Sequence, residues 1–221
     1  MLNALASLFF LACLATSAPG AAPEKARQIT WEDLVPQVEK FDDPFLDLTP
    51  DQKLDLVLVA RTRQLQSGGV DITPEQLERL NMALKRLEKD QIDIDGLLAM
   101  RGEIAAKRKR AMEAVNENLN GHQVRLAGYV LPLEINGLKI TEFLLVPYVG
   151  ACIHEPVPPA NQIVLVKFAQ GIEVNGRFTP VWVQGTMITQ VGTSNLFLVD
   201  GSADIPRSYT LAADLIELYQ K

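Results

Sequence analysis

Cysteine and histidine are nearly missing from this chain of 221 residues, which has two of each: Cys13, Cys152, His122 and His154. A disulfide framework is therefore excluded, and few strong ligands are on hand for a four-coordinate structural zinc. Aromatic residues make up 6% of the chain and charged residues 22%. The net charge of -6 lacks the basic excess that a nucleic-acid surface needs to neutralise phosphates, so nucleic acid is not expected as a partner. No Gly-x-Ser-x-Gly, phosphate-binding loop or dinucleotide fingerprint occurs. After the first residues no apolar run is long enough to cross a bilayer, and a hydrophobic content of 48% fits an ordinary globular core.

Charge is absent altogether from residues 1–22. There an apolar run, Leu5 to Leu14, gives way to Ala15-Thr16-Ser17-Ala18-Pro19-Gly20-Ala21-Ala22, the texture of a secretory signal peptide cleaved between Ala18 and Ala22. The rival is a lipoprotein signal anchored at Cys13, disfavoured because Phe10 is a poor residue three positions before it. Cleavage at the later site leaves Cys152 as the lone thiol of a periplasmic protein.

What is present sorts into an arm, a helical region and a β region. Residues 23–48 form the arm, in which Trp31, Leu34, Phe41 and Phe45 are expected to anchor it to the body. Residues 49–120 are helical. Thr49-Pro50-Asp51-Gln52 and Thr73-Pro74-Glu75-Gln76 each set a capping hydroxyl, a proline at the first helical position and a reciprocal glutamine. Gly68-Gly69 ends the first helix, and Leu77, Leu80, Leu84 and Leu87 stripe the second. Asp93-Ile94-Asp95-Gly96 reads as a break before a third helix from about Leu97 to Leu119. That helix carries the only basic block, Lys107-Arg108-Lys109-Arg110, which reads as a solvated turn with a weak option of membrane-surface or acidic-partner contact.

Residues 121–221 change to short β-type runs punctuated by glycine. Val124, Leu126 and Val130 alternate inward with Gly128 allowing a bulge, and Asn136-Gly137 predicts a hairpin turn. Val181-Trp182-Val183-Gln184-Gly185 echoes the same pattern. Leu211, Leu215 and Leu218 suggest a short terminal helix. The fold class is α+β: about three helices followed by a small antiparallel barrel.

Between Phe143–Val146 and Ile163–Val166 lies the candidate site. In an extended backbone Cys152 and His154 share a face, so a thiolate and an imidazole could hold one metal, zinc or copper, with His122 or Glu155 as a third ligand. Pro156, Pro158 and Pro159 stiffen the loop, and Asn161 is expected to close a turn through its own side chain. The bland reading makes Cys152 a small buried hydrophobe and the loop a rigid docking surface composed of Tyr148, Gly150, Cys152, His154, Pro158, Pro159, Asn161 and Gln162. A cysteine nucleophile is disfavoured, because neighbours on one strand leave no room for an orienting third group.

The string Gly-Ala-Cys-Ile-His-x-Pro-x-Pro-Pro-x-Asn-Gln at Gly150 to Gln162, with Gly-Tyr-Val-x-Pro-Leu-Glu at Gly128 to Glu134 and Phe-Leu-Leu-Val-Pro-Tyr at Phe143 to Tyr148, resembles an uncharacterised family of exported bacterial proteins. The resemblance also takes in Ile-Thr-Trp-x-x-Leu-x-Pro at Ile29 to Pro36. It implies a periplasmic or lipoprotein-type protein with an oligonucleotide/oligosaccharide-binding-like (OB-like) barrel, and no enzymatic mechanism. The resulting expectation is a non-enzymatic accessory module without a resident cofactor, bound to an envelope protein such as a transporter component. The alternative is a periplasmic protein that binds or delivers zinc or copper.

Overall fold

The computed structural model describes residues 25–133, 139–151, 157–173, 176, 178–198 and 201–219. The expected signal peptide with Cys13, the expected Asn136-Gly137 turn and the Cys152–Pro156 segment lie outside the described residues. Three α-helices, α1 (Pro50–Ser67), α2 (Pro74–Lys89) and α3 (Ile94–Glu113), precede most of a sheet made of β1 (Arg27–Gln28), β2 (Gln123–Pro132), β3 (Ile140–Val146), β4 (Val164–Ile172), β5 (Thr179–Leu198) and β6 (Gly201–Leu218). The chain is thus a mixed α+β protein.

Local chemistry starts each helix. The Thr49 hydroxyl accepts from the Gln52 backbone N–H at 3.2 Å while the Gln52 side chain accepts from Thr49 N–H at 2.9 Å; Thr73 and Gln76 repeat both bonds at the head of α2. Gly69, at φ 74°, turns the chain out of α1. The helical region breaks over residues 90–93, so the expected break is present but lies slightly earlier, with only Asp93 of Asp93-Ile94-Asp95-Gly96 inside it. Asp93 closes the break by capping α3, accepting from Gly96 N–H at 2.9 Å, so that helix starts three residues before the expected Leu97 and ends at Glu113 rather than Leu119. Leu56, Val59, Leu80, Ala83, Leu87 and Leu97 form a small apolar core among the helices themselves.

The strands are joined in the order β1-β2-β3-β4-β6-β5, and β5 pairs with β2 as well, so the pairings of β2 to β6 run in a ring. All pairs in that ring are antiparallel except β4 with β6. Val124, Leu126 and Val130 face inward as the alternation required, among Phe143, Leu145, Val166, Val183 and Leu211. Gly128 makes no bulge: β2 and β5 stay in register from Gln123↔Thr186 to Val130↔Thr179. Its small size serves packing, because a Cβ there would lie 2.7 Å from Leu145 Cγ and 2.9 Å from Trp31 Cζ2.

The expected terminal helix is absent; the segment is β6. The helical spacing of Leu211, Leu215 and Leu218 does not mark a buried stripe: Gln184 pairs with Leu215 and Gly185 with Ala213, a bulge that skips Asp214, and Leu211, Ala213 and Ile216 face the core while Leu215 and Leu218 are exposed.

The arm is fixed at several points. Ile29 N–H bonds Arg125 O at 3.0 Å and extends β1 beside β2, and Trp31 Nε1 donates to Ala127 O at 2.8 Å. Further on, Arg108 of α3 donates to both carboxylate oxygens of buried Asp43, at 2.7 and 2.8 Å, and lies over the Phe45 ring. These donated bonds hold the Asp43 carboxyl below its usual range against the opposing effect of burial. A lowered folded value means the pair contributes above the ordinary aspartate range, near 4, and is lost as pH falls through the lowered value. Asp43→Asn is expected to cost about 1 kcal/mol at neutral pH, since Arg108 stays well hydrated. The difference from wild type should shrink as pH falls through that lowered value, where protonation removes the same pair; urea titrations at neutral and at progressively acid pH measure it.

Candidate functional site

The loop that carries the sequence motif leaves β3 at Val146 and returns through a 3-10 turn, Ala160–Gln162, into β4. Gly150, at φ 89°, allows the outward bend, after which Ala151 is buried. Cys152 and His154 lie outside the described residues, so the shared face inferred for them stays a sequence expectation. His122 sits exposed just before β2. Among the described residues no three His, Cys, Asp or Glu side chains group closely enough to hold a metal.

The far side of the loop is tightly held. Asn161, 2% exposed, does not close its own turn: its Nδ2 donates to Ala111 O and Ala114 O, each at 3.1 Å. Those carbonyls belong to the last turn of α3 and the residue after it, where a helix runs out of its own donors. Ser208 of β6 supplies a third such bond, to Glu113 O at 2.9 Å. Gln162 Nε2 reaches Trp31 O at 2.7 Å, which ties the loop to the arm. Beneath them buried Tyr209 donates from Oη to Leu34 O and accepts from Asn116 N–H, both at 2.6 Å, while Asn116 Nδ2 donates to Asp33 O at 2.8 Å. Arm, helix exit, loop and β6 therefore share one polar network.

This bracing opens a cleft of about 580 Å³ between the loop and α3. Val157, Pro158 and Pro159 form one wall with Pro206 beside them; Ala105, Arg108, Lys109 and Met112, at helical spacing, form the other. Val157 is 49% exposed and Met112 44%, so each presents an apolar surface at the lip. Pro159, at φ -54° and ψ 149°, has the extended geometry that proline prefers. Tyr148 stands at the other end of the loop, 39% exposed.

The basic block borders this cleft, and three of its four charges have ion-pair partners among the described residues. Lys107 pairs with Glu103 at 2.7 Å and sits 6.0 Å above the Phe41 ring, Arg108 holds Asp43, and Lys109 lies 3.8 Å from Glu113. Less charge is left for a membrane surface than the bare sequence suggests.

A second surface had no sequence signal because its members are far apart in the chain. Trp31, Gly128, Tyr129, Pro147, Pro180 and Tyr219 line a groove of about 260 Å³. Beside it Trp182 stacks on Tyr219 with ring centres 5.8 Å apart, and Arg125 lies 4.2 Å above Trp182 while bonding Glu217 at 3.0 Å. Alternation alone could have placed Tyr129 and Trp182 on an outward face; it could not have brought Trp31 to them.

Comparison with known proteins adds kinship without an activity. The family model described as "Protein of unknown function (DUF3299)" matches residues 31–218. A crystal structure at 2.45 Å of a DUF3299 family protein from Pseudomonas aeruginosa PAO1 is 26% identical, with 89% of this chain and 98% of that one covered and a TM-score of 0.47. No curated protein matches.

Proposed function

The chain belongs to the DUF3299 family, whose function is unknown, and from its own surfaces we propose that it is an exported, non-enzymatic accessory module of the bacterial envelope that docks a partner protein in the cleft between its proline loop and α3. The observation that carries this reading is the cleft itself: a wall of proline and valine, a facing helical stripe with Met112 at its edge, and a loop held at Asn161 and Gln162. A pre-braced wall loses little entropy on docking, and methionine adapts to a partner's contour. Export rests on the uncharged apolar leader, and a periplasmic location follows from it.

The ring of strand pairings with its single parallel pair supports reading the sheet as an OB-like barrel, the architecture that the motif resemblance implies. On that reading α3 and the arm cap one end of the barrel, which is where the cleft forms.

A photo-activated cross-linking residue at Val157 tests the docking surface, with the same residue at exposed Glu78 of α2 as control. Irradiation of intact envelopes is expected to give one discrete adduct from position 157 and none from position 78. No adduct at 157, or the same pattern from both positions, would remove the cleft as a docking surface. N-terminal sequencing of the mature protein tests export separately, and an intact Met1 in the envelope fraction would count against it.

A further inference from the structure

A third concave surface, a groove of about 420 Å³, opens between α1, α3 and the arm, and α2 contributes nothing to its lining. On α1 it is bordered by Lys53, Leu56, Val57 and Ala60, a stripe at three- and four-residue spacing about 10 Å long. On α3 it is bordered by Leu98, Arg101, Ala105 and Arg108, a stripe about 15 Å long. The trough is wide: Leu46 and Val57 line it and are still 72% and 63% exposed, with Leu54 on the same helix 68% exposed. A single acyl chain would cover a line along the floor and leave those lips wet. A helix laid along the trough would cover both walls, because side chains at three- and four-residue spacing form ridges that pack into such a groove.

Charge narrows the occupant further. Arg108 is committed to Asp43. Lys53 and Arg101, on opposite walls, have no ion-pair partner among the described residues, and Lys53 acts on Asp43 only from a distance. A partner with acids on both sides of an apolar stripe meets both cations. The protein's own leader cannot supply them, since residues 1–22 contain no charged side chain.

We propose that the α1/α3 groove binds an amphipathic helix of another protein whose apolar stripe is flanked by aspartate or glutamate. This extends the protein-binding reading to a separate surface. The groove is tested apart from the loop cleft, so either can fail without the other.

The probes are two fluorescein-labelled synthetic peptides of about 18 residues, long enough to be helical. Both carry leucines at helical spacing, one flanked by glutamates and the other by lysines. Fluorescence anisotropy with the full chain is expected to show the glutamate peptide binding roughly tenfold more tightly than the lysine peptide. Lys53→Glu/Arg101→Glu should reverse that preference, and Val57→Asp should weaken both. All three positions are exposed, and circular dichroism checks that the variants stay folded. Equal binding of the two peptides, binding of neither, or a preference untouched by the charge reversal would overturn the proposal. So would flotation with phosphatidylglycerol vesicles in the absence of peptide binding, which would make the groove a lipid surface. Concentration-dependent dimerisation lost in the charge-reversed variant would assign it to a second copy and overturn it equally.

Discussion

Gly185→Ala is expected to be among the most damaging single substitutions in the protein, with a cost of roughly 3 kcal/mol or more. Gly185 sits in the middle of β5, paired with Val124 of β2 on one side and Ala213 of β6 on the other. A Cβ there would lie 2.1 Å from Ala212 O and 2.7 Å from Ala213 Cα. Both are backbone atoms, so no side chain can rotate away. Nor can β6 shift as a body, because Ala212 is also paired with Lys167 of β4. The methyl group must therefore break the bulge that lets β6 skip Asp214, and with it one link in the ring of pairings. Gly102→Ala is the matched control: nothing lies within 4 Å of a Cβ on that exposed helical glycine. There alanine should stabilise by about 0.5–1 kcal/mol through helix propensity. Urea titration of the two variants should move the midpoint in opposite directions, and equal midpoints would refute the packing argument.

The contrast between α2 and β6 marks how far the sequence could be read. Both capping boxes span four residues, so the chemistry that starts α1 and α2 is complete within a short stretch and visible in it. The identity of β6 was not local. Its register is dictated by β5 and β4, and the skipped Asp214 breaks the two-residue alternation by which a strand is recognised. Gly128 and Gly185 look alike in sequence, each following an alternating apolar run, yet Gly185 stands at a bulge and Gly128 makes room for an indole from the arm. No local pattern separates those two reasons for a glycine.

The cleft divides in the same way. Pro158 and Pro159 were legible as a stiff wall, because proline carries its geometry with it. The facing stripe of Ala105, Arg108, Lys109 and Met112 was not, since nothing in α3 says which turn lies against which loop. Asn161 stood out from its place after the prolines, but the partner expected for it was wrong: its amide serves α3, some fifty residues earlier in the chain. Arg108 likewise read as one charge in a solvated block, and its match with Asp43 became visible only when the arm was laid over the helix.

Tyr209→Phe is expected to cost about 2–3 kcal/mol even though it leaves the shape of the core unchanged. The ring stays among Leu34, Val164 and Leu211, so no cavity forms. What disappears is one oxygen with two duties, donating to Leu34 O and accepting from Asn116 N–H, and both groups are then left without that partner beneath the arm. A signature separates this account from a general packing defect. Burial raises the Tyr209 phenol above its ordinary value near 10, against the pull of the Asn116 N–H. With the folded value raised, the neutral phenol's contribution is complete below the unfolded value and is lost as pH climbs above about 10, where the unfolded chain ionises first. Wild type should therefore lose stability steeply through that range while Tyr209→Phe loses less, so the two curves converge at high pH. Parallel curves would mean that the hydroxyl is not the source of the difference. Since Leu34 belongs to the arm and Asn116 to the exit from α3, the same substitution should also speed amide exchange in both segments while leaving α2 unchanged. That pattern would establish the network under the loop as the element that holds the cleft walls apart, because α2 shares the helical core but none of these bonds.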